Sequence, residues 1–389
     1  MKPLLRLVLV LSVVAACGGG GGIIPPASPT KPASQPNGDP TVAISIARAP
    51  LPAVASTTTA APTFAQLIGQ KLVVRMDGAT PSAGLLGRIE RGEVGGVILL
   101  GSNVTTRAAL VASIRALRDA AVAGGQPPLL IAVDQEGGAI KRIPWAPPTL
   151  SPPQMGRSGR ASVARAQGAS TGAALRALGI DVDLAPVADV PASTASFMYR
   201  MGRTFSSSAA RTAVLAESFA SGLESQGVVP AMKHFPGLGF ATRDTDDVIV
   251  GIPVSKARLA PGLLPYRTAI AHGIPLIMLS NARYPVYDTA NAAGWSYAIG
   301  TTLLRRNLGF TGVTITDSLD GTAHARGLTT EVLAVRAARA GTDMILMTGS
   351  EASTQAVFTG LLRGAVDGTI ATATLLASYR RILALKASL

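Results

Sequence analysis

The chain of 389 residues contains one cysteine, Cys17, so no disulfide can form within it. Aromatic residues are scarce, at 4%, which removes the stacking platform that single-stranded nucleic acid requires. Acidic residues are also few: 22 Asp and Glu against 35 Lys and Arg give a formal net charge of +13. Such a balance can attract nucleic acid, an anionic membrane or an acidic polymer. The arginines are nevertheless scattered, adjacent only as pairs, with no run of five basic residues, so nucleic acid is not an expected partner. Neither a G-x-G-x-x-G nor a GxxxxGK[ST] phosphate loop occurs, which weakens any nucleotide-binding reading. With 15% charged and 48% hydrophobic residues, the chain has ample apolar material for a large core.

The N-terminus reads MKPLLRLVLVLSVVAAC. Lys2 and Arg6 precede an apolar run too short to span a bilayer comfortably, and small residues sit just before Cys17. Residues 1–17 are therefore expected to be a secretory signal. The V-A-A-C ending, Val14 to Cys17, resembles the bacterial lipoprotein signal, which implies lipidation of Cys17 and anchoring of an exported protein to the membrane on its cell-wall or periplasmic side. An ordinary export signal or an uncleaved anchor is the alternative. Residues 18–62 are rich in Gly, Pro, Ser and Thr and lack a sustained apolar period, so they are expected to form a disordered tether. The folded part, 63–389, should begin near Thr63 and Phe64.

Beyond that point, short apolar runs recur: LVVR from Leu72, GGVILLG from Gly95, LLIAVDQ from Leu129, IDVDLAPVADV from Ile180, VVPAMKH from Val228, PLIMLSN from Pro275, TGVTITD from Thr311 and TDMILMT from Thr342. Ala/Leu/Arg-rich segments with helical spacing separate them, several ending in Gly. Eight near-continuous apolar strands alternating with helices predict an α/β fold, a single (β/α)8 barrel with no C-terminal second domain. Polar residues cluster at the strand ends: Asp134 and Glu136, Asp183 and Asp189, Lys233 and His234, Ser280 and Asn281, then Asp317. In a barrel those ends meet on one face, which carries the site.

These motifs resemble glycoside hydrolase family 3, in particular its single-domain bacterial β-N-acetylhexosaminidase branch, over essentially all of 64–389. The resemblance rests on VDQEGG (Val133–Gly138) with Arg142 four residues on, APVADV (Ala185–Val190), MGRTF (Met201–Phe205), KHFPG (Lys233–Gly237) and ITDSLD (Ile315–Asp320). It implies a retaining hydrolase that removes terminal β-linked N-acetylglucosamine from a cell-wall glycan or muropeptide fragment, needing no cofactor or metal. Asp317 would be the nucleophile, and Asp134, Arg142, Arg203, Lys233 and His234 would bind the hydroxyls of the terminal sugar. A carboxylate amid fixed donors suits that chemistry. His272, before a Gly, reads as a helix C-terminal residue; the role of His324 is open.

The chain departs from this branch after KHFPG. The branch places an Asp-x-His dyad on the following loop, its histidine serving as acid/base. Here Asp244 stands at the dyad aspartate, Asp246 replaces the histidine, and Leu238 replaces another usual histidine. Either Asp246 is itself the acid/base, raised in pKa by Asp244 or Asp247 beside it, or the loop has lost competence and the protein is a sugar-binding lipoprotein of the cell envelope. A family 3 β-glucosidase is a third reading. The sugar, aglycone, loop conformation and oligomeric state stay open.

Overall fold

A computed structural model describes residues 61–389. The expected signal at 1–17, Cys17 itself and nearly all of the expected tether lie outside the described residues. The first helix is Phe64–Gly69; the Thr63 hydroxyl accepts from the Gln66 amide at 3.3 Å, and the Gln66 side chain accepts from the Thr63 amide at 2.9 Å. This reciprocal cap explains why the helix starts there.

Eight parallel strands follow: β1 (Leu72–Arg75), β2 (Gly96–Leu99), β3 (Leu130–Val133), β4 (Val182–Asp183), β5 (Val229–Phe235), β6 (Leu276–Leu279), β7 (Val313–Thr316) and β8 (Ile345–Met347). Each pairs with its neighbour in chain order, and β8 pairs with β1. Between β7 and β8 the ring closes through an Ile315–Met344 bridge and a bond from the Met344 amide to the Thr314 carbonyl at 2.8 Å. The (β/α)8 barrel predicted from the strand runs is therefore the observed architecture, and the described residues contain no second domain.

Strand periodicity divides the apolar residues between two cores. Side chains alternate faces along a strand, so Leu130 and Ala132, Val229 and Ala231, and Val313 and Ile315 fill the barrel interior. Their neighbours, including Ile131, Met232 and Ile277, join the larger core beneath the helices. Ile382 and Leu385, on the helix Thr372–Ala387, complete the interior cluster. Continuing each inward series by two residues gives Asp134, Lys233 and Asp317. The period that packs the barrel thereby delivers polar groups at the C-terminal ends of three strands.

β4 is short for a local reason. Pro186 offers no amide to a ladder, yet the pairing resumes beyond it: the Ala188 amide bonds the Lys233 carbonyl at 2.6 Å, and the Lys233 amide bonds the Pro186 carbonyl at 3.1 Å. This irregular extension carries Asp189 to the side of β5.

Candidate active site

The loop after β3 supplies the acidic floor of the site. Gln135 pins it: its side-chain amide donates to the Ile143 carbonyl at 3.0 Å and the Pro147 carbonyl at 2.9 Å, while its oxygen accepts from the Ile143 amide at 3.0 Å. The pinned loop presents Asp134 and Glu136 to β5, where the Lys233 ammonium lies 2.6 Å from Asp134 Oδ1 and 2.8 Å from Glu136 Oε1. Arg203, on the loop after β4, closes a two-pronged bond on Glu136, with Nε at 2.9 Å and Nη2 at 2.7 Å. Arg142 stands at the edge, its Nη2 4.0 Å from Asp134 Oδ2.

This cluster keeps its charges. Burial pushes the Glu136 carboxyl upwards, but Arg203 and then Lys233 outweigh it and hold it at about 2. Burial works against charge on Arg203 and Lys233 as well. Glu136 reverses that for Arg203, and Asp134 with Glu136 reverses it for Lys233, so both are protonated more firmly than usual. Glu136 therefore anchors two cations.

His234 follows Lys233 through a cis peptide bond and is buried. Its Nδ1 lies 2.7 Å from Asp189 Oδ2, and the other Asp189 oxygen accepts the Leu238 amide at 2.7 Å. Because a carboxylate accepts, Nδ1 is the donor, and Nε2 is turned towards Asp317, 3.9 Å from its Oδ2. Asp317 ends β7 with its side chain 20% exposed, more open than Asp134 at 16% and than the buried Lys233 and His234. The Ser318 amide donates to its Oδ1 at 2.9 Å.

The departing loop is folded against this site. The Phe197 amide bonds the Ala241 carbonyl at 2.7 Å and the Arg200 guanidinium bonds the Thr242 carbonyl at 2.7 Å. Leu238 is buried in the core. Asp244 Oδ1 accepts the Asp246 amide at 3.1 Å, which fixes the turn. Asp246 rests on the helix that follows Asp317: a Cβ placed on Gly321 would meet the Asp246 Cβ and carbonyl oxygen at 2.9 Å. Burial, and then the carboxylates of Asp317, Asp244 and Asp247, push the Asp246 carboxyl up to about 8, against the pull of Arg203. The residue retains an exposed surface, so water tempers the burial contribution and the like charges carry the direction.

All five expected sugar-binding residues and Asp317 thus lie at the C-terminal end of the barrel, with Asp246 near enough to Asp317 to feel its charge. Asp244 acts on the turn. Two further residues matter that the sequence placed at strand ends without a role, Glu136 and Asp189; their signal was membership of the VDQEGG and APVADV motifs. Other strand-end residues are supports. Asn281 donates to the Ser318 carbonyl at 2.6 Å and Ser280 pairs with the Tyr284 hydroxyl at 2.9 Å. Asp183 accepts the Gln135 amide at 2.9 Å, and burial pushes its carboxyl up to about 8. His272 ends the helix Leu264–Ala271, bonding the Thr268 carbonyl, and His324 is exposed on the helix Leu319–Ala325.

Comparison with known proteins agrees with this geometry. Residues 65–385 match the family described as the glycosyl hydrolase family 3 N terminal domain. An uncharacterized secreted glycosyl hydrolase of Arthroderma benhamiae is 34% identical over 327 residues, covering 82% of this chain and 92% of that protein. A beta-hexosaminidase of Xylella fastidiosa is 32% identical over 286 residues, covering 71% and 82%. The solved structure of a beta-N-acetylhexosaminidase from Beutenbergia cavernae superposes with a TM-score of 0.78 at 31% identity, covering 84% of this chain and 99% of that one.

Proposed function

The chain belongs to glycosyl hydrolase family 3, and on that premise we propose that it is a β-N-acetylhexosaminidase that removes a terminal β-linked N-acetylglucosamine unit with retention of configuration. The observation that carries the reading is the meeting of an accessible carboxylate, Asp317, with fixed donors from β5 and its neighbours and a second carboxyl, Asp246, held protonated near neutrality.

Asp134, Lys233, Arg142 and Arg203 would hold the sugar hydroxyls, with His234 Nε2 adding a polar group beside the anomeric carbon. Asp317 attacks that carbon. Asp246 gives its proton to the departing glycosidic oxygen, so the C–O bond breaks as the Asp317–carbon bond forms. Asp246, now a carboxylate, takes a proton from water, whose oxygen displaces Asp317 and restores the enzyme. A carboxyl raised by neighbouring charge meets both demands, because its proton is present at the start and is not held too tightly to give up. The chain's departure from an Asp-x-His loop would then be a substitution of one acid/base by another.

The source of the glycan is proposed to be cell-wall material, and the protein is proposed to be exported and tethered through a lipid on Cys17. Support for export comes from the signal-like 1–17 segment and from the secreted relative. The test is hydrolysis of a chromogenic N-acetylglucosaminide by the soluble domain, against glucoside and xyloside controls. Turnover abolished by Asp317→Asn is expected. Saturable sugar binding without turnover would instead identify a binding protein.

A further inference from the structure

Five carboxyl side chains are buried among the described residues: Glu136, Asp181, Asp183, Asp189 and Asp343. Four of them meet a cation or an imidazole. Glu136 holds Arg203 and Lys233, Asp181 holds Arg118 at 2.7 Å, Asp189 holds His234, and Asp343 holds Arg305 and Arg381. Asp183 has no such partner among the described residues. It is 0% exposed, its Oδ1 accepts the Gln135 amide at 2.9 Å, and its Oδ2 finds no hydrogen-bond partner among the described residues.

That environment does not support a charge. A buried carboxylate with one neutral donor is neither hydrated nor compensated, whereas the acid form carries no charge to compensate. The charged groups that reach Asp183 come from two elements: Lys233 on β5, and Asp134 and Glu136 on the loop after β3. Lys233 already lies 2.6 Å from Asp134 and 2.8 Å from Glu136, and those two acids repel a further negative charge. Burial, joined by these acids, pushes the Asp183 carboxyl up to about 8, against the pull of the Gln135 amide and Lys233.

The register of β3 against β4 ends at the Val133–Asp183 pair. Two residues further on, the Gln135 amide bonds the Asp183 side chain, and Gln135 stands between the two acids that hold Lys233. We propose that Asp183 is a positioning residue that seats the Asp134–Glu136 loop as a neutral carboxylic acid, and that loss of its proton unseats the sugar-binding cluster. With Asp183 neutral, Lys233 divides its bonds between Asp134 and Glu136. An ionised Asp183 competes for that ammonium and repels both acids, so the loop and the lysine lose their register together. The inference rests on the hydrolase reading for its effect on turnover, and on burial and bonding alone for the protonation state.

Infrared difference spectra of the unmodified protein against Asp183→Asn should show the C=O stretch of a protonated carboxyl at about pH 6 and lose it by about pH 10. Denaturant unfolding reads the same proton. A carboxyl raised from 3.8 to about 8 contributes stability that is whole below 3.8 and is lost as pH rises towards 8. The unfolding constant of the unmodified protein, relative to that of Asp183→Asn, should therefore rise about tenfold or more across that interval. A level ratio, or no infrared band, overturns the neutral acid. On a nitrophenyl N-acetylglucosaminide, kcat/KM reports formation of the glycosyl-enzyme, which needs no proton from Asp246. It should fall about tenfold by one unit above pH 8 in the unmodified protein and hold level in Asp183→Asn; equal falls in both overturn the switch. Asp183→Ala, which leaves the Gln135 amide without its acceptor, should raise KM about tenfold at every pH, and Asp183→Asn should recover most of that loss. No rise in the alanine variant, or no recovery in the asparagine one, overturns the positioning role. Where hydrolysis is absent throughout, calorimetric binding of N-acetylglucosamine replaces kcat/KM and KM in the same comparisons and decides them on the same terms, and the hydrolase reading alone fails.

Discussion

Replacing Asp246 by Ala isolates the acid/base step. With its carboxyl pushed up to about 8, roughly nine in ten molecules carry the proton at pH 7. The rate on a substrate with a poor leaving group should therefore fall on the alkaline side as this proton is lost, giving a limb near pH 8. General acid catalysis contributes about 10²- to 10⁴-fold, or roughly 3–5 kcal/mol of barrier. Asp246→Ala should lose that factor on an alkyl N-acetylglucosaminide and erase the alkaline limb. A nitrophenyl glycoside, whose leaving group departs without a proton, should form its glycosyl-enzyme at nearly the original rate. Presteady-state kinetics separate that first step from hydrolysis, which should slow because Asp246 also activates water. Asp247→Asn is the internal control: removing one exposed like charge, worth about 0.5 kcal/mol, should lower the limb by about 0.4 unit. Equal losses on both leaving groups, with the limb intact, would refute Asp246 as the acid and leave it a loop residue.

Glu136→Gln should destabilise the barrel by about 3–5 kcal/mol, because Lys233 and Arg203 would remain buried with half their compensation gone; denaturant unfolding measures it. In the unmodified protein the depressed Glu136 carboxyl contributes stability that is complete above its ordinary 4.5 and disappears as pH falls through about 2, so the variant should show a flatter loss across that interval. Asp189→Asn should leave the melting temperature much less affected but reduce kcat/KM by about 10- to 100-fold, through a His234 ring no longer held by a charged acceptor. Unaltered kinetics would make Asp189 a packing residue. Gly321→Ala brings a methyl to 2.9 Å from Asp246, and the turn must move. Turnover of poor leaving groups should drop about tenfold or more while formation of the glycosyl-enzyme from an activated donor continues.

The barrel was legible because burial on both faces leaves a parallel strand as an apolar run, and eight such runs survive in the sequence. The same inward period reaches past the apolar residues to Asp134, Lys233 and Asp317, so half of the site follows from strand geometry before any resemblance is invoked. The partnerships were not legible in this way. Glu136 meets Arg203 across 67 residues of chain, and nothing local distinguishes a carboxylate that anchors two cations from one that caps a helix. Asp189 reads as another strand-end acid until the irregular stretch after Pro186 brings it beside His234.

The four-residue acidic turn shows why composition alone misleads here. As a string, Asp244, Asp246 and Asp247 are equivalent charges in a chain that has few. In the fold they differ. Asp244 is committed to the Asp246 amide, while Asp246 and Asp247 are both exposed. Asp246 alone is packed against Gly321, four residues beyond Asp317, and burial with the neighbouring carboxylates pushes its carboxyl up to about 8. A histidine acid/base can be tuned near neutrality with little help, because its ordinary pKa already lies there. A carboxyl starts about three units lower, so it needs crowding by other carboxylates to hold a proton at pH 7. The acids around Asp246 therefore add to burial in replacing the histidine, and each one removed should lower the alkaline limb without touching the acid.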